Sequence, residues 1–157
     1  MIVSENSIQI RYDEVDKMGW VYHGNYAKFY HISRTELMRN IGLSDKDLEA
    51  NGIFLPVIEL NIKYIKPIYY DDQIIIKTVL QNIPSTRMVF SHEVRNKNNE
   101  TINTAKSTVV FVNMETRRPM KAPDFIVNRI MLHFENQVIK SKKNEIRTYC
   151  INCNSSE

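Results

Sequence analysis

Apolar residues change their period several times along this chain. In "SIQIRY" (7–12) they alternate with polar ones, the two-residue period of a strand. From Asn25 the spacing lengthens. Tyr26, Phe29 or Tyr30, Ser33, Leu37 and Ile41 recur at three- and four-residue steps, with Lys28, Arg34 and Arg39 elsewhere on the wheel. That predicts one amphipathic helix of about five turns. Gly42, in "NIG", ends it, because glycine takes the left-handed position after a helix without steric cost. Ser44 and Asp47 are spaced as a capping box for a short second helix reaching about Gly52.

Beyond Gly52 the period returns to two. "LPVIELNIKYIKP" places Ile58, Leu60, Ile62 and Tyr64 on one face and Glu59, Asn61 and Lys63 on the other. Pro67 must lie at or past the end of that strand, since it has no N–H for a ladder. "DDQIIIKTVLQNI" predicts the next strand, and Pro84-Ser85 breaks it. In "RMVFSHEVRN", Met88, Phe90, His92 and Val94 share a face, and "NKNNE" (96–100) has the composition of a hairpin turn. "NTAKSTVVFVNMET" is the last strand, and Pro123 suits the first turn of a terminal helix. The predicted order is a strand, a long helix, a short helix, four strands in meander and a final helix. The fold class is α+β, with an antiparallel five-stranded sheet wrapped around a long central helix.

Composition adds limits rather than detail. A chain of 157 residues, 43% hydrophobic and 25% charged, can fill one core without metals or disulfides. Residues 1–134 form the predicted domain, and 135–157 are a polar, lysine-rich tail expected to be flexible. The net charge of +3 is scattered, which argues against a nucleic-acid partner. No stretch approaches the roughly 18 apolar residues of a membrane span. "MIVSENSIQI" lacks the basic and apolar regions of a secretory signal, and both cysteines, Cys150 and Cys153, fall in the tail. A cytoplasmic setting is expected. The Cys-x-x-Cys pair is half of a tetrahedral zinc site, so a reduced tail is expected over a zinc bridge between two tails.

The densest polar stretch is "RYDEVDKMGWVYHGNY" (11–26), between the first strand and the long helix. Gly19 permits a backbone bend there. The helix begins near His23-Gly24, where the first N–H groups lack intrahelical partners and carry the positive end of the dipole. Asp13 and Asp16 lie where the strand gives way to the helix. The helix terminus can hold a polarised carbonyl oxygen, and a carboxylate seven residues upstream can supply a base or nucleophile. A helix cap in an ordinary loop is the plainer account of the same residues.

"YDEVDKMGWVYHGNYAKFYHISRTELMR" resembles the acyl-CoA thioesterases of the 4-hydroxybenzoyl-CoA thioesterase family, which has the hotdog fold. The matching residues are Asp16, Gly19, Val21, His23, Asn25 and Tyr26, followed by Arg34-Thr35-Glu36. "NIKYIKPIYYDDQIII" (61–76) resembles the family's second signature, a strand ending in Tyr-x-x-Pro before an acidic turn. The chain departs from the pattern at Glu14, which stands two residues before the aligned Asp16. The resemblance covers about residues 5–130.

It implies hydrolysis of an acyl thioester to a carboxylic acid and a thiol, with no metal and no cofactor beyond the substrate's coenzyme A. Asp16 is the implied catalytic carboxylate, and the N–H groups of His23 and Gly24 polarise the carbonyl. Tyr22 and Asn25 flank the turn, and Lys63, Lys66 and Arg87 are candidates for the phosphates of coenzyme A. The family also implies a homodimer joined edge to edge, and a homotetramer beyond it. An acyl carrier protein substrate is the nearest alternative, and a non-catalytic acyl-thioester binder a further one. A hotdog dehydratase needs an Asp and His constellation not found here. His31 is expected to be an ordinary helix histidine, His92 a hydrogen-bonded core histidine, and Glu59 a solvated sheet residue.

Overall fold

The computed structural model describes residues 1–135. The polar tail, with Cys150 and Cys153, lies outside the described residues. The elements are β1 (Ile2–Gln9), α1 (Asn25–Asn40), α2 (Asp45–Ala50), β2 (Ile53–Phe54), β3 (Val57–Tyr64), β4 (Gln73–Leu80), β5 (Arg87–Arg95), β6 (Thr101–Val110) and β7 (Val112–Asn113). A last helix, α3, runs over 124–135. All five long strands pair antiparallel in the order β1-β4-β5-β6-β3. β2 and β7 form a separate two-stranded ribbon.

Local signals set the helix ends. Gly42 has φ 76° and donates its N–H to Arg39 O, closing α1 as predicted. At α2, Ser44 Oγ accepts from the Asp47 N–H while the Asp47 carboxylate accepts from the Ser44 N–H, completing the capping box. The 96–100 hairpin closes on Asn96, whose side-chain oxygen accepts from the N–H groups of Asn98 and Glu100.

Three expectations need correction. β1 begins at Ile2 and stops at Gln9, earlier than the predicted 7–12. Its first half, Ile2-Val3-Ser4-Glu5, puts one apolar and one polar residue on each face, so no alternation betrays it, and β4 holds it in register throughout. It stops because Ile10 turns away to exchange hydrogen bonds with Asp72 and Asp71. The four later strands are not a simple meander either. β3 crosses to the far side of β6, and 65–72 carry the chain back across the end of the sheet to β4. Alternation fixes which face a strand buries but not which neighbour it takes. Finally, Arg34 is on the buried face of α1, not the polar one, and is only 7% exposed.

Arg34 belongs to a polar band that divides the core. One apolar cluster gathers Leu37 and Met38 of α1 against Leu80, Met88, Phe90 and Val109, and is closed by Ile126 and Ile130 of α3. The other gathers Tyr26, Phe29 and Tyr30 against Ile74, Ile76, Val94 and Ile102. Between them lie Ser33 and Arg34 on the helix and Thr78, His92 and Ser107 on the sheet, all buried. Thr78 Oγ1 is 3.0 Å from His92 Nδ1, and Ser107 Oγ is 2.9 Å from His92 Nε2. Burial, and then the Arg34 charge, pull the His92 imidazole down to about 4, so it stays neutral at neutral pH. His92 is the hydrogen-bonded core histidine its strand pattern predicts.

Candidate active site

Residues 15–21 fold into a small hairpin. Val15 and Val21 bridge, Asp16 N–H donates to Trp20 O at 2.8 Å, and Gly19 N–H donates to Asp16 O at 2.9 Å. Gly19 has φ 78°, a backbone state that favours glycine, so it makes the bend expected of it. Asp16 is half-buried at the foot of this turn. The Met18 N–H donates to its Oδ1 at 2.8 Å, which fixes the carboxylate and leaves Oδ2 unclaimed among the described residues. The hairpin is tied to the crossing segment by Val21 N–H to Ile68 O, 2.8 Å, and by the Trp20–Tyr69 bridge.

Glu14 anchors the next stretch. Its carbonyl accepts from Tyr22 N–H at 2.9 Å and from Asn25 Nδ2 at 2.8 Å. Its side chain, 4% exposed, accepts from Arg11 N–H and pairs with Lys28 Nζ, both at 2.9 Å. Burial opposes the charge, but the Arg11 N–H and the Lys28 ammonium outweigh it and lower the carboxyl's pKa. The residue that departs from the family pattern is thus a structural clamp between the loop and α1. Asn25 serves the same clamp.

α1 therefore starts at a fixed place. Gly24 is its N-cap, with helical angles and no side-chain cap. Among the described residues, the N–H groups of His23 and Gly24 have no hydrogen-bond partner. A Cβ on Gly24 would lie 2.5 Å from Tyr22 Cε1, so the bare glycine lets the Tyr22 ring close over the turn. That ring also rests on the His23 imidazole, centroids 4.4 Å apart. Tyr64 Oη donates to His23 O at 3.3 Å, joining the turn to the end of β3.

A cavity of about 270 Å³ opens here, with Asp16, His23, Trp20, Tyr26, Tyr64 and Lys66 in its wall. Tyr26 is buried, its ring edge-on to Tyr64, and burial followed by that neighbour raises its pKa to about 12. It remains a neutral phenol. Sequence pattern placed Tyr26 and Tyr64 on core faces and gave no sign that they also wall a cavity.

The predicted site residues divide into two groups. Asp16, His23 and Lys66 share the cavity, whereas Tyr22, Gly24 and Asn25 adjoin His23 in the turn that leads into α1 and do not line the cavity. Lys66 pairs with Glu100 of the β5–β6 hairpin at 3.1 Å. Lys63 and Arg87 stand apart. Lys63 is exposed in register with Thr104, while Arg87 is level with Val110, about 20 Å further along the sheet. Glu59 is exposed and accepts from Asn61 Nδ2. His31, also exposed, is 2.9 Å through Nδ1 from Arg34 Nη2. Among the described residues no three His, Cys, Asp or Glu side chains converge as metal ligands.

The fold has counterparts among known proteins. Residues 10–130 match the thioesterase-like superfamily. The chain belongs to that superfamily. Its fold is the hotdog fold, and as a superfamily member it is a thioester hydrolase. An acyl-CoA thioester hydrolase of Escherichia coli, YbgC, is 31% identical over 76% of this chain and 90% of its own. The crystal structure of a DHNA-CoA thioesterase from Staphylococcus aureus is 30% identical, with a TM-score of 0.80 over 91% of this chain and 96% of that one. An acyl-acyl carrier protein thioesterase of Arabidopsis thaliana, ATL3, is 27% identical over 85% of this chain and 70% of its own. No helix among the described residues is long and apolar enough to cross a membrane.

Proposed function

We propose that this thioester hydrolase acts on acyl-CoA, with Asp16 as its catalytic carboxylate and the start of α1 as its oxyanion site. One observation carries the reading. A carboxylate fixed by the Met18 N–H shares a cavity with His23, at a helix terminus whose leading N–H groups are unpaired. Those N–H groups receive the thioester oxygen, where negative charge develops. Asp16 either takes a proton from water or attacks the carbonyl carbon itself, giving an anhydride that water then opens. The thiol leaves and the carboxylic acid remains. The His23 imidazole, held against Tyr22, orients water or the carbonyl. No metal or organic cofactor takes part.

Lys66 at the cavity rim meets the phosphates of coenzyme A. Lys63 joins it from the same chain and Arg87 from a second copy, because the free edge of β3 is the joint of a homodimer. Antiparallel pairing of two β3 edges about their middle brings the Val57 end of one beside the Tyr64 end of the other. The pairs assemble further into a homotetramer, in the cytoplasm. Relatives of 31% and 30% identity whose names specify CoA thioesters support the substrate class.

The test is Asp16→Asn. Asparagine keeps an oxygen for the Met18 N–H, so the fold should stand while thiol release from acyl-CoA falls about 10²–10⁴-fold. Unchanged turnover would remove Asp16 from the mechanism. Similarity to the Arabidopsis enzyme favours a second reading, an acyl carrier protein substrate. Equal kinetics with a pantetheine thioester lacking the nucleotide would support that reading instead.

A further inference from the structure

A second and larger cavity, of about 540 Å³, lies between α1, α2 and the β2–β7 ribbon. Its walls are apolar, with Leu48, Ile53, Phe54, Leu55 and Val112 among them. Arg34 also lines it, although 93% of that residue's surface is buried, from its 7% exposure. Among the described residues no carboxylate comes within 4.0 Å of the guanidinium, and its one side-chain partner is His31 Nδ1. A buried arginine ordinarily has an anion to pair with.

The other charges are at the mouth. Asp45, Glu49, His31 and Arg117 all line the cavity and are exposed. Arg117 is in turn held over the Phe54 ring, 5.0 Å from its centroid. The Asp45 charge supports the Arg34 cation from a distance, against the cost of burial. Two carboxylates at the mouth disfavour a dianion such as phosphate, while a monoanion with an apolar body satisfies both the cation and the walls. The volume is that of a small-molecule site.

We propose that this cavity binds a carboxylate on an apolar body, with Arg34 forking onto the acid head and the apolar wall holding the rest. Two sources have that chemistry. One is a free organic acid. The other is the far end of a substrate's acyl group, reaching in from the catalytic cavity of a second copy. Pro56 opens onto this cavity and Tyr64 onto the other, so β3 runs from one to the other. Antiparallel pairing of two β3 edges makes them neighbours across the joint. Only this second source rests on the proposed acyl-CoA hydrolysis and dimer.

Hexanoate and benzoate are the probes, with hexanamide and benzamide as uncharged controls, read by calorimetry and thermal shift on the full chain. The acids should bind and the amides should not. Arg34→Met should weaken acid binding about tenfold or more, the loss expected for a charge-assisted hydrogen bond. Should Arg34→Met fail to fold, Asp45→Asn gives the opposite sign, tightening acid binding several-fold by removing a competing anion. Equal binding of acids and amides, or none of either, overturns the proposal.

A second arm separates the sources. The ratio of glutaryl-CoA to valeryl-CoA turnover should fall at least tenfold in Arg34→Met if the acyl group supplies the acid. An unchanged ratio with acid binding retained in the native chain assigns the site to a free acid. Loss of hydrolysis of every acyl-CoA would overturn the proposed function, while the calorimetric arm would still decide the carboxylate site.

Discussion

Glu14 illustrates how much can hang on one buried carboxylate two residues from the one proposed to react. Its main-chain oxygen holds both Tyr22 and Asn25, and its side chain reaches Arg11 and Lys28, so four residues of the site's frame converge on it. Glu14→Gln keeps the shape but loses the charge, and should cost about 1–3 kcal/mol in denaturant unfolding. The sign with pH follows from its lowered pKa. The contribution is complete above the ordinary value of 4.5 and is lost as pH falls through the lower folded value. The gap between native chain and variant should therefore be full at pH 7 and close as the pH drops below 4.5. A gap that stays constant through acid would mean the Glu14 charge, with its Arg11 N–H and Lys28 partners, contributes nothing. Asp13, one residue earlier, is exposed and has none of these partners.

At the scale of elements, three neighbouring strands meet in the band of Thr78, His92 and Ser107. The imidazole is held neutral there, with a pKa of about 4 against 6.5 for a free histidine. Between those values the unfolded chain binds a proton that the folded chain refuses, so stability must fall as pH drops through that window. About 1–2 kcal/mol of loss is expected between pH 6.5 and 5, before most carboxylates titrate. His92→Gln should be less stable at pH 7 and flatter across that interval in thermal unfolding. An equally steep profile in the variant would assign the slope to other groups. The strand carrying His92 was legible in sequence because Met88, Phe90, His92 and Val94 alternate without interruption. Helix ends at Gly42 and Ser44 were equally readable, since caps are local chemistry. β1 and the ribbon of β2 and β7 were not. Their pairing is decided by partners distant in sequence, and two-residue strands carry no period. Arg34 was misplaced because a charged residue counts as polar on a helical wheel, while here the buried face includes a cation. In the site, the bend at Gly19 and the start of α1 were readable from spacing and Asp16 was singled out by the family resemblance, but Tyr26 and Tyr64 looked like core residues and Glu14 like loop.

For the whole molecule, the decisive feature is an edge that one chain leaves open. β3 pairs with β6 on one side, and its other side has no strand among the described residues. That edge lacks the proline and the short length that blunt many solitary edges, and its one bulge lies at its start, between Val57 and Glu59. It is eight residues long and carries exposed Val57, Ile58 and Tyr64, with Ile65 following. Beside its far end, Trp20 and Tyr69 are also about half exposed, so the apolar surface continues onto the rim of the Asp16 cavity. A patch of that kind is expected to be covered by a partner. A two-fold pairing through β3 would cover it, and would also place each Asp16 cavity against the neighbouring chain's Pro56 end, which no single chain can do for itself. Ile58→Lys tests the joint without touching the cavity. Ile58 is 49% exposed in the single chain, so lysine should cost the monomer about 0.5 kcal/mol or less. With the two edges paired about their middle, each introduced lysine would lie opposite Lys63 of the partner subunit, and like charges directly opposite destabilise a strand pair. Sedimentation velocity should therefore move from a dimer or tetramer to a monomer. Thiol release at low protein concentration should fall with it and recover partly as concentration rises. If Ile58→Lys stays assembled, the chains join elsewhere. If it becomes a monomer with full turnover, the catalytic cavity is complete within one chain.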